Sequence, residues 1–181
     1  MITTVDANVL IKWSSPKTDA LDRARLELML DVISKAGGKV IIPTPCLAEF
    51  LVATNEATAD WLQTLERKRS VVVGPFDRRA AFECALLDRA AISKGDKKGG
   101  RQEPWQKIKI DRQIVGVARA NNSTTLVTDD DGLRSTALAA GLTVYRLREL
   151  DVPDSAKQIN LDLQPQGETA KSAPSSESPV A

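Results

Sequence analysis

Four acidic positions in this chain have the residue type and surroundings to do chemistry. Asp6 ends the first apolar run, in Thr4-Val5-Asp6-Ala7-Asn8-Val9-Leu10. Glu49 sits inside the apolar segment Pro45-Cys46-Leu47-Ala48-Glu49-Phe50-Leu51, and Asp111 opens Asp111-Arg112-Gln113-Ile114-Val115-Gly116-Val117-Ala118. The cluster Asp129-Asp130-Asp131 follows Leu126-Val127-Thr128 directly. Carboxylates at strand ends and on flanking helices converge when strands and helices alternate. Four of them within ~5 Å would repel by roughly 3 kcal/mol per pair at an effective dielectric of ~20. A hard divalent cation, Mg²⁺ or Mn²⁺, offsets that repulsion and keeps waters for reaction. The chemistry expected is metal-assisted phosphodiester hydrolysis.

The elements that must position these acids are legible as an alternation. Strands are expected at Ile2–Val5, Lys39–Ile42, Ser70–Val73, Thr124–Thr128 and Leu142–Tyr145, short and rich in β-branched residues as strands buried on both faces are. Helices are expected at Ala7–Trp13, Asp19–Ala36, Pro45–Ala53, Ala57–Arg67, Arg78–Lys94, Ile110–Asn121 and Asp131–Ala140. Helices between strands favour an α/β class with a mostly parallel, roughly five-stranded sheet. In such a sheet, residues at the carboxyl ends of strands meet in one crevice where the strand order reverses.

Each acid also has a simpler explanation. Asp6, Asp111 and one of Asp129–Asp131 stand where a helix begins, and there a carboxylate caps free amides. Glu49 resists that account, because its neighbours are mostly apolar and partial burial is expected; otherwise it lies on a narrow polar stripe.

The bulk numbers set limits. A chain of 181 residues is one domain's worth, with 42% hydrophobic and 27% charged residues. No apolar stretch reaches the ~18–20 residues of a membrane span. The opening Met1-Ile2-Thr3-Thr4-Val5 reads as a strand without a secretory signal, and Cys46 and Cys84 read as buried thiols in a reducing compartment, so a cytoplasmic location is expected. There is no histidine. That excludes Ser-His-Asp and Cys-His catalysis, His-ligated zinc and imidazole acid–base pairs.

Two segments break the alternation. Lys94–Gln106 holds three glycines and a proline without apolar periodicity and reads as a mobile loop. With its flank it supplies Lys94, Lys97, Lys98, Arg101, Lys107, Lys109 and Arg112 against Asp96, Glu103 and Asp111. Such an arm, with Lys97, Lys98, Arg101, Lys107 and Arg112 on phosphates and Trp105 stacked on an unpaired base, would suit single-stranded RNA. The simpler account is a solvated loop whose tryptophan tucks back on the core. Domain limits are expected at 1–150 for the folded unit and 151–181 for a largely disordered tail, within which Ile159–Leu163 has the pattern of one short element. Five acids against two bases in that tail leave about +4 of net charge on residues 1–150.

Asp6-Ala7-Asn8-Val9-Leu10, Glu49, Asp111-x-x-Ile114-x-x-x-Ala118 and Thr128-x-Asp130-x-x-Leu133, in that order over about residues 1–147, resemble a PIN domain, most of all the VapC-type toxin ribonucleases. The resemblance implies a three-layer α/β/α sandwich and a metal-dependent endoribonuclease acting with one or two Mg²⁺ or Mn²⁺ ions. It implies Asp6, Glu49, Asp111 and Asp130 as catalytic, metal-site acids, with Asn8 and Thr128 in support. The family's spacing selects Asp130, while Asp129 and Asp131 leave the assignment open by one position. It further implies an RNA substrate cut to 5′-phosphate and 3′-hydroxyl ends, a small antitoxin partner and a homodimer.

Competing readings divide on single residues. A haloacid-dehalogenase-type phosphatase needs a second acid where Asn8 stands, and a receiver domain needs its acceptor where Val73-Gly74-Pro75 stands. A catalytically silent PIN-like RNA-binding or scaffold protein would be marked by loss of an acid, and all four are present.

Overall fold

A computed structural model describes residues 1–53 and 56–156, with the side chains of 56 and 57 outside the description. The tail from 157 on, including the expected element at Ile159–Leu163, lies outside the described residues. Among the described residues five strands form one sheet: β1 (Ile2–Val5), β2 (Lys39–Pro43), β3 (Val71–Gly74), β4 (Thr125–Val127) and β5 (Thr143–Tyr145). Their order is β3-β2-β1-β4-β5, and every pairing is parallel. The chain leaves central β1 for β2 on one side and later returns to β4 on the other. The switch point therefore lies at the carboxyl ends of β1 and β4.

Helices cover both faces. Among the described residues they are α1 (Ala7–Ser14), α2 (Ala20–Lys35), α3 (Thr44–Ala53), α4 (Glu56–Glu66), α5 (Arg78–Ser93), α6 (Trp105–Ala120) and α7 (Asp131–Ala139), with a 3-10 turn at Leu147–Glu149. Alternation along the strands splits the core, as burial on both faces requires. Val40 and Ile42 pack with Leu10, Leu26, Ile33 and Leu65, while Ile41 packs with Val117 on the opposite side. Likewise Val127 joins the first cluster and Leu126 joins Ile114, Val115 and Leu133. Helix α3 serves both: Phe50 enters the first cluster and Cys46 the second.

Strand and helix limits fall within a residue or two of those read from the sequence, with one exception. Helix α6 starts at Trp105, just after Pro104, and not near Ile110. Ile108 is fully buried, so Ile108, Asp111, Arg112 and Val115 form a continuous inward face at helical spacing. The polar, glycine-rich approach hides this first turn in the sequence. Asp111 is consequently a buried acid in mid-helix, and helix capping does not account for it.

The segment before α6, read from the sequence as a mobile loop, is a run of turns with internal contacts. Gly95, Gly99 and Gly100 take positive φ, and the Asp96 carboxylate accepts from the amides of Lys98 and Gly100. Arg112 donates to Asp88 Oδ1 at 2.5 Å and to the Lys97 carbonyl at 2.8 Å. The Lys97 ammonium and the Arg112 guanidinium lie 4.2 and 5.4 Å from the Trp105 ring centroid. Lys98 Nζ donates to the Glu103 carbonyl.

Helix α6 is seated by close approach to α5. A Cβ at Gly116 would stand 2.8 Å from the Ala80 carbonyl oxygen and 3.1 Å from Cys84 Cβ. Neither backbone can yield cheaply. Gly116→Ala should lower the melting temperature, costing about 1–3 kcal/mol from overpacking despite alanine's better helix propensity. A melting temperature equal to or above the parent's, by calorimetry, would show that the two helices have room to separate.

Candidate active site

Registry places the first two functional residues. Val5 pairs with Val127 across β1 and β4, so Asp6 and Thr128 leave the sheet side by side. The Asp6 amide donates to the Val127 carbonyl at 3.1 Å. The Thr128 side chain is fully buried, and its hydroxyl donates to Asp6 Oδ2 at 2.8 Å. Thr128 Oγ1 itself accepts from the Asp130 amide at 3.0 Å and from Asn8 Nδ2 at 3.4 Å. Asn8 Nδ2 also donates to Asp6 Oδ2 at 2.7 Å. One hydroxyl thereby ties the loop after β1 to the loop after β4.

Asp6 caps α1, with Oδ1 accepting from the Ala7 amide at 2.7 Å and from the Cys46 thiol at 3.6 Å. Burial pushes its pKa up to about 6, aided by the Glu49 charge and opposed by the Thr128 and Ala7 hydrogen bonds. The thiol beneath it is driven well above its usual range by burial, then by the Asp6 charge, so Cys46 is a neutral donor. Nothing in its sequence surroundings distinguishes Cys46 from an ordinary core thiol. Cys84 is likewise free, but half-buried.

Asp6, Asn8, Glu49, Asp111 and Asp130 line a single cleft of about 270 Å³ with Lys107, Ile110, Ile114 and Leu133. The four acids come from four separate segments. Glu49 departs from the partial burial expected of it. Cys46 and Phe50, four residues apart, take the inward face of α3 and turn Glu49 out to the exposed rim of the cleft.

Asp129 and Asp130 part company. Asp130 Oδ1 caps α7 through the Leu133 amide at 2.8 Å, and Oδ2 reaches Lys107 Nζ at 2.5 Å. Burial opposes its charge, but Lys107 and that amide outweigh it and hold its pKa below the ordinary value. Asp129 turns out of the cleft to Lys12 Nζ at 2.7 Å and the Leu147 amide at 3.0 Å. Burial again works against its charge, and these partners prevail to lower its pKa. Asp131 pairs with Arg146 and is exposed.

Asp111 is buried, with Arg101 Nη2 at 2.6 Å from its Oδ2. Burial raises its pKa, and the Arg101 and Lys107 cations only partly offset that. Three basic residues before and within α6 are engaged with acids of the fold: Arg101 with Asp111, Lys107 with Asp130, and Arg112 with Asp88. Their internal partners could not be read from the sequence, because pairing depends on where the turn of the chain places them.

Among the described residues, no three of the potential ligand side chains approach closely enough to hold a metal ion. The donor set still fits a hard cation. It is entirely carboxylate oxygen, and Asp111 Oδ2 is buried without a well-directed hydrogen bond. Two side-chain cations stand where positive charge is needed.

No family model and no curated protein matches the chain. Solved structures do. A chain in the crystal structure of VapBC2 from Rickettsia felis bound to a DNA fragment from their promoter is 18% identical, with a TM-score of 0.56 over 81% of this chain and 98% of that one. A chain of DNA-bound VapBC from Salmonella typhimurium is 17% identical, with a TM-score of 0.54 over the same shares. A third, from VapBC-5 of Mycobacterium tuberculosis, is 25% identical at a TM-score of 0.48, covering 80% and 98%. The likeness, together with the five-stranded parallel sheet and its two helical layers, defines the fold as PIN-like α/β/α.

Two outcomes test this geometry. Thr128→Val removes the bridging hydroxyl at nearly constant shape, and should lower stability by about 1–3 kcal/mol by leaving part of a buried carboxylate unsatisfied. An unchanged denaturation midpoint would contradict the bridge. The second concerns pH in chelator. A raised folded-state pKa makes Asp6 stabilising below about pH 4, a contribution lost as pH rises through about 6. Asp6→Asn should therefore gain on the parent protein between those values, by up to roughly 3 kcal/mol. A stability difference independent of pH would contradict the burial of that charge.

Proposed function

We propose that this protein is a metal-dependent endoribonuclease that hydrolyses RNA phosphodiester bonds. The observation that carries the reading is the convergence of Asp6, Glu49, Asp111 and Asp130 on one cleft at the sheet's switch point. The PIN-like fold and the motif resemblance support it. Asp6, Asp111 and Asp130 would hold one or two Mg²⁺ or Mn²⁺ ions, with Glu49 at the rim. A divalent ion bound there supplies Lewis-acid charge and a water of lowered pKa.

The chain's own groups do the rest. Asn8 and Thr128 fix the Asp6 carboxylate in one orientation, so little reorganisation is needed on binding. Glu49, exposed and facing the cleft, can accept a proton at its carboxylate. Lys107, beside Asp130 and partly exposed, can meet a phosphate oxygen. Ile110, Ile114 and Leu133 give the cleft an apolar wall.

The partners follow the same reasoning. The resemblance supports a toxin that acts as a homodimer, and the fold shared with chains of VapBC complexes supports restraint by a small antitoxin protein. Free Cys46 and Cys84 support a cytoplasmic location. No helix of the described residues is long and apolar enough to cross a membrane. The cations seated on Asp111 and Asp130 favour one rival, a catalytically silent RNA-binding protein.

Cleavage of a total-RNA pool decides between them. Purified protein should cut with Mg²⁺ or Mn²⁺ and stop with EDTA. Asp6→Asn and Asp130→Asn should each lose at least about a hundredfold in rate, whereas Asp129→Asn should stay within about threefold. No cleavage in either metal by folded, antitoxin-free protein would favour the silent reading.

A further inference from the structure

Asp111 already has a positive partner, and its source is a segment outside the acid motifs. Arg101 comes from the turn before α6 and reaches across to Asp111, leaving only 10% of its side chain exposed. A buried ion pair between well-matched groups uses all their hydrogen-bonding atoms. This one does not: Asp111 Oδ2 lacks a directed hydrogen bond, and Arg101 Nε is buried with no acceptor. The guanidinium has other attachments, to Glu103 Oε1 at 2.9 Å and Thr136 Oγ1 at 3.0 Å. It is packed against Gly132, where a Cβ would stand 2.8 Å from its Cζ. Arg101 is therefore held beside Asp111 by Glu103 and Thr136, and its contact with Asp111 is the poorly satisfied part.

We propose that Arg101 is a built-in counterion for Asp111 that a divalent cation must displace, so that the turn at residues 94–104 sets how readily the cleft takes up metal. The inference rests on the metal-dependent reading above. In the metal-free protein Arg101 relieves the cost of a buried Asp111 carboxylate next to Asp130, at a position where metal binding would put two like charges together. Displaced, the guanidinium keeps Glu103 and Thr136 as partners, so the exchange does not strand it. Arg101 acts through Asp111 and is a positioning residue. Lys107 is more exposed, and its flexible ammonium can leave Asp130 without moving the backbone.

The test is Mn²⁺ affinity, by calorimetry on the full chain, for the parent protein and Arg101→Gln. A merely structural arginine would leave affinity unchanged or weaken it when lost. A displaced counterion predicts that Arg101→Gln binds Mn²⁺ tighter by about tenfold or more. Equal or weaker binding by folded Arg101→Gln would overturn the inference while leaving the metal site intact. Absence of Mn²⁺ binding in both proteins would overturn it together with the metal-dependent reading. Arg101→Lys provides a second variant that keeps the charge. It should bind Mn²⁺ with an affinity near the parent's, and binding as tight as that of Arg101→Gln would contradict the counterion role.

Discussion

The site depends on a buried hydroxyl. Thr128 Oγ1 donates to Asp6 and accepts from the Asp130 amide, so the two loops at the switch point share one atom. The arrangement follows from registry. Because Val5 pairs with Val127, the next residue on each strand emerges beside the other. A one-residue slip in either strand would turn the hydroxyl to the opposite face. The two-sided core, with Val127 on one side and Leu126 on the other, prevents that slip. Packing far from the cleft thus fixes the orientation of its carboxylates.

Gathering acids has an electrostatic cost, and the protein meets it differently at each position. Asp6 is raised to about 6 by burial, so its charge is only loosely held near neutrality. Asp130 keeps its charge through a helix cap and Lys107. Asp111 uses Arg101. Glu49 remains in solvent at the rim, where charge costs least. A cleft assembled this way calls for positive charge, and Arg101 and Lys107, from the turn before α6 and its first turn, bring some of it to Asp111 and Asp130.

Much of this was legible in the sequence because it is local. Short β-branched runs separated by periodic helices define the parallel sheet, and acids at the ends of Ile2–Val5 and Thr125–Val127 fall at the switch point. What was hidden is non-local. The first turn of α6 has one deeply buried residue, Ile108, among polar neighbours, which obscured both the helix start and the mid-helix position of Asp111. Glu49 lies among apolar residues in sequence yet faces solvent, because Cys46 and Phe50 take the inward face of α3. The choice between Asp129 and Asp130 depends on Lys12 and Leu147, each far away in the chain. Basic residues read as an arm for RNA are engaged with Asp88, Asp111 and Asp130, partners that no spacing rule reveals.

A metal ion in this cleft would be seen by anomalous scattering from crystals soaked in Mn²⁺. The expected result is a peak bounded by Asp6, Asp111 and Asp130, with the Arg101 guanidinium withdrawn from Asp111 toward Glu103 and Thr136. Saturating Mn²⁺ with no peak in the cleft, and Arg101 still seated on Asp111, would contradict it.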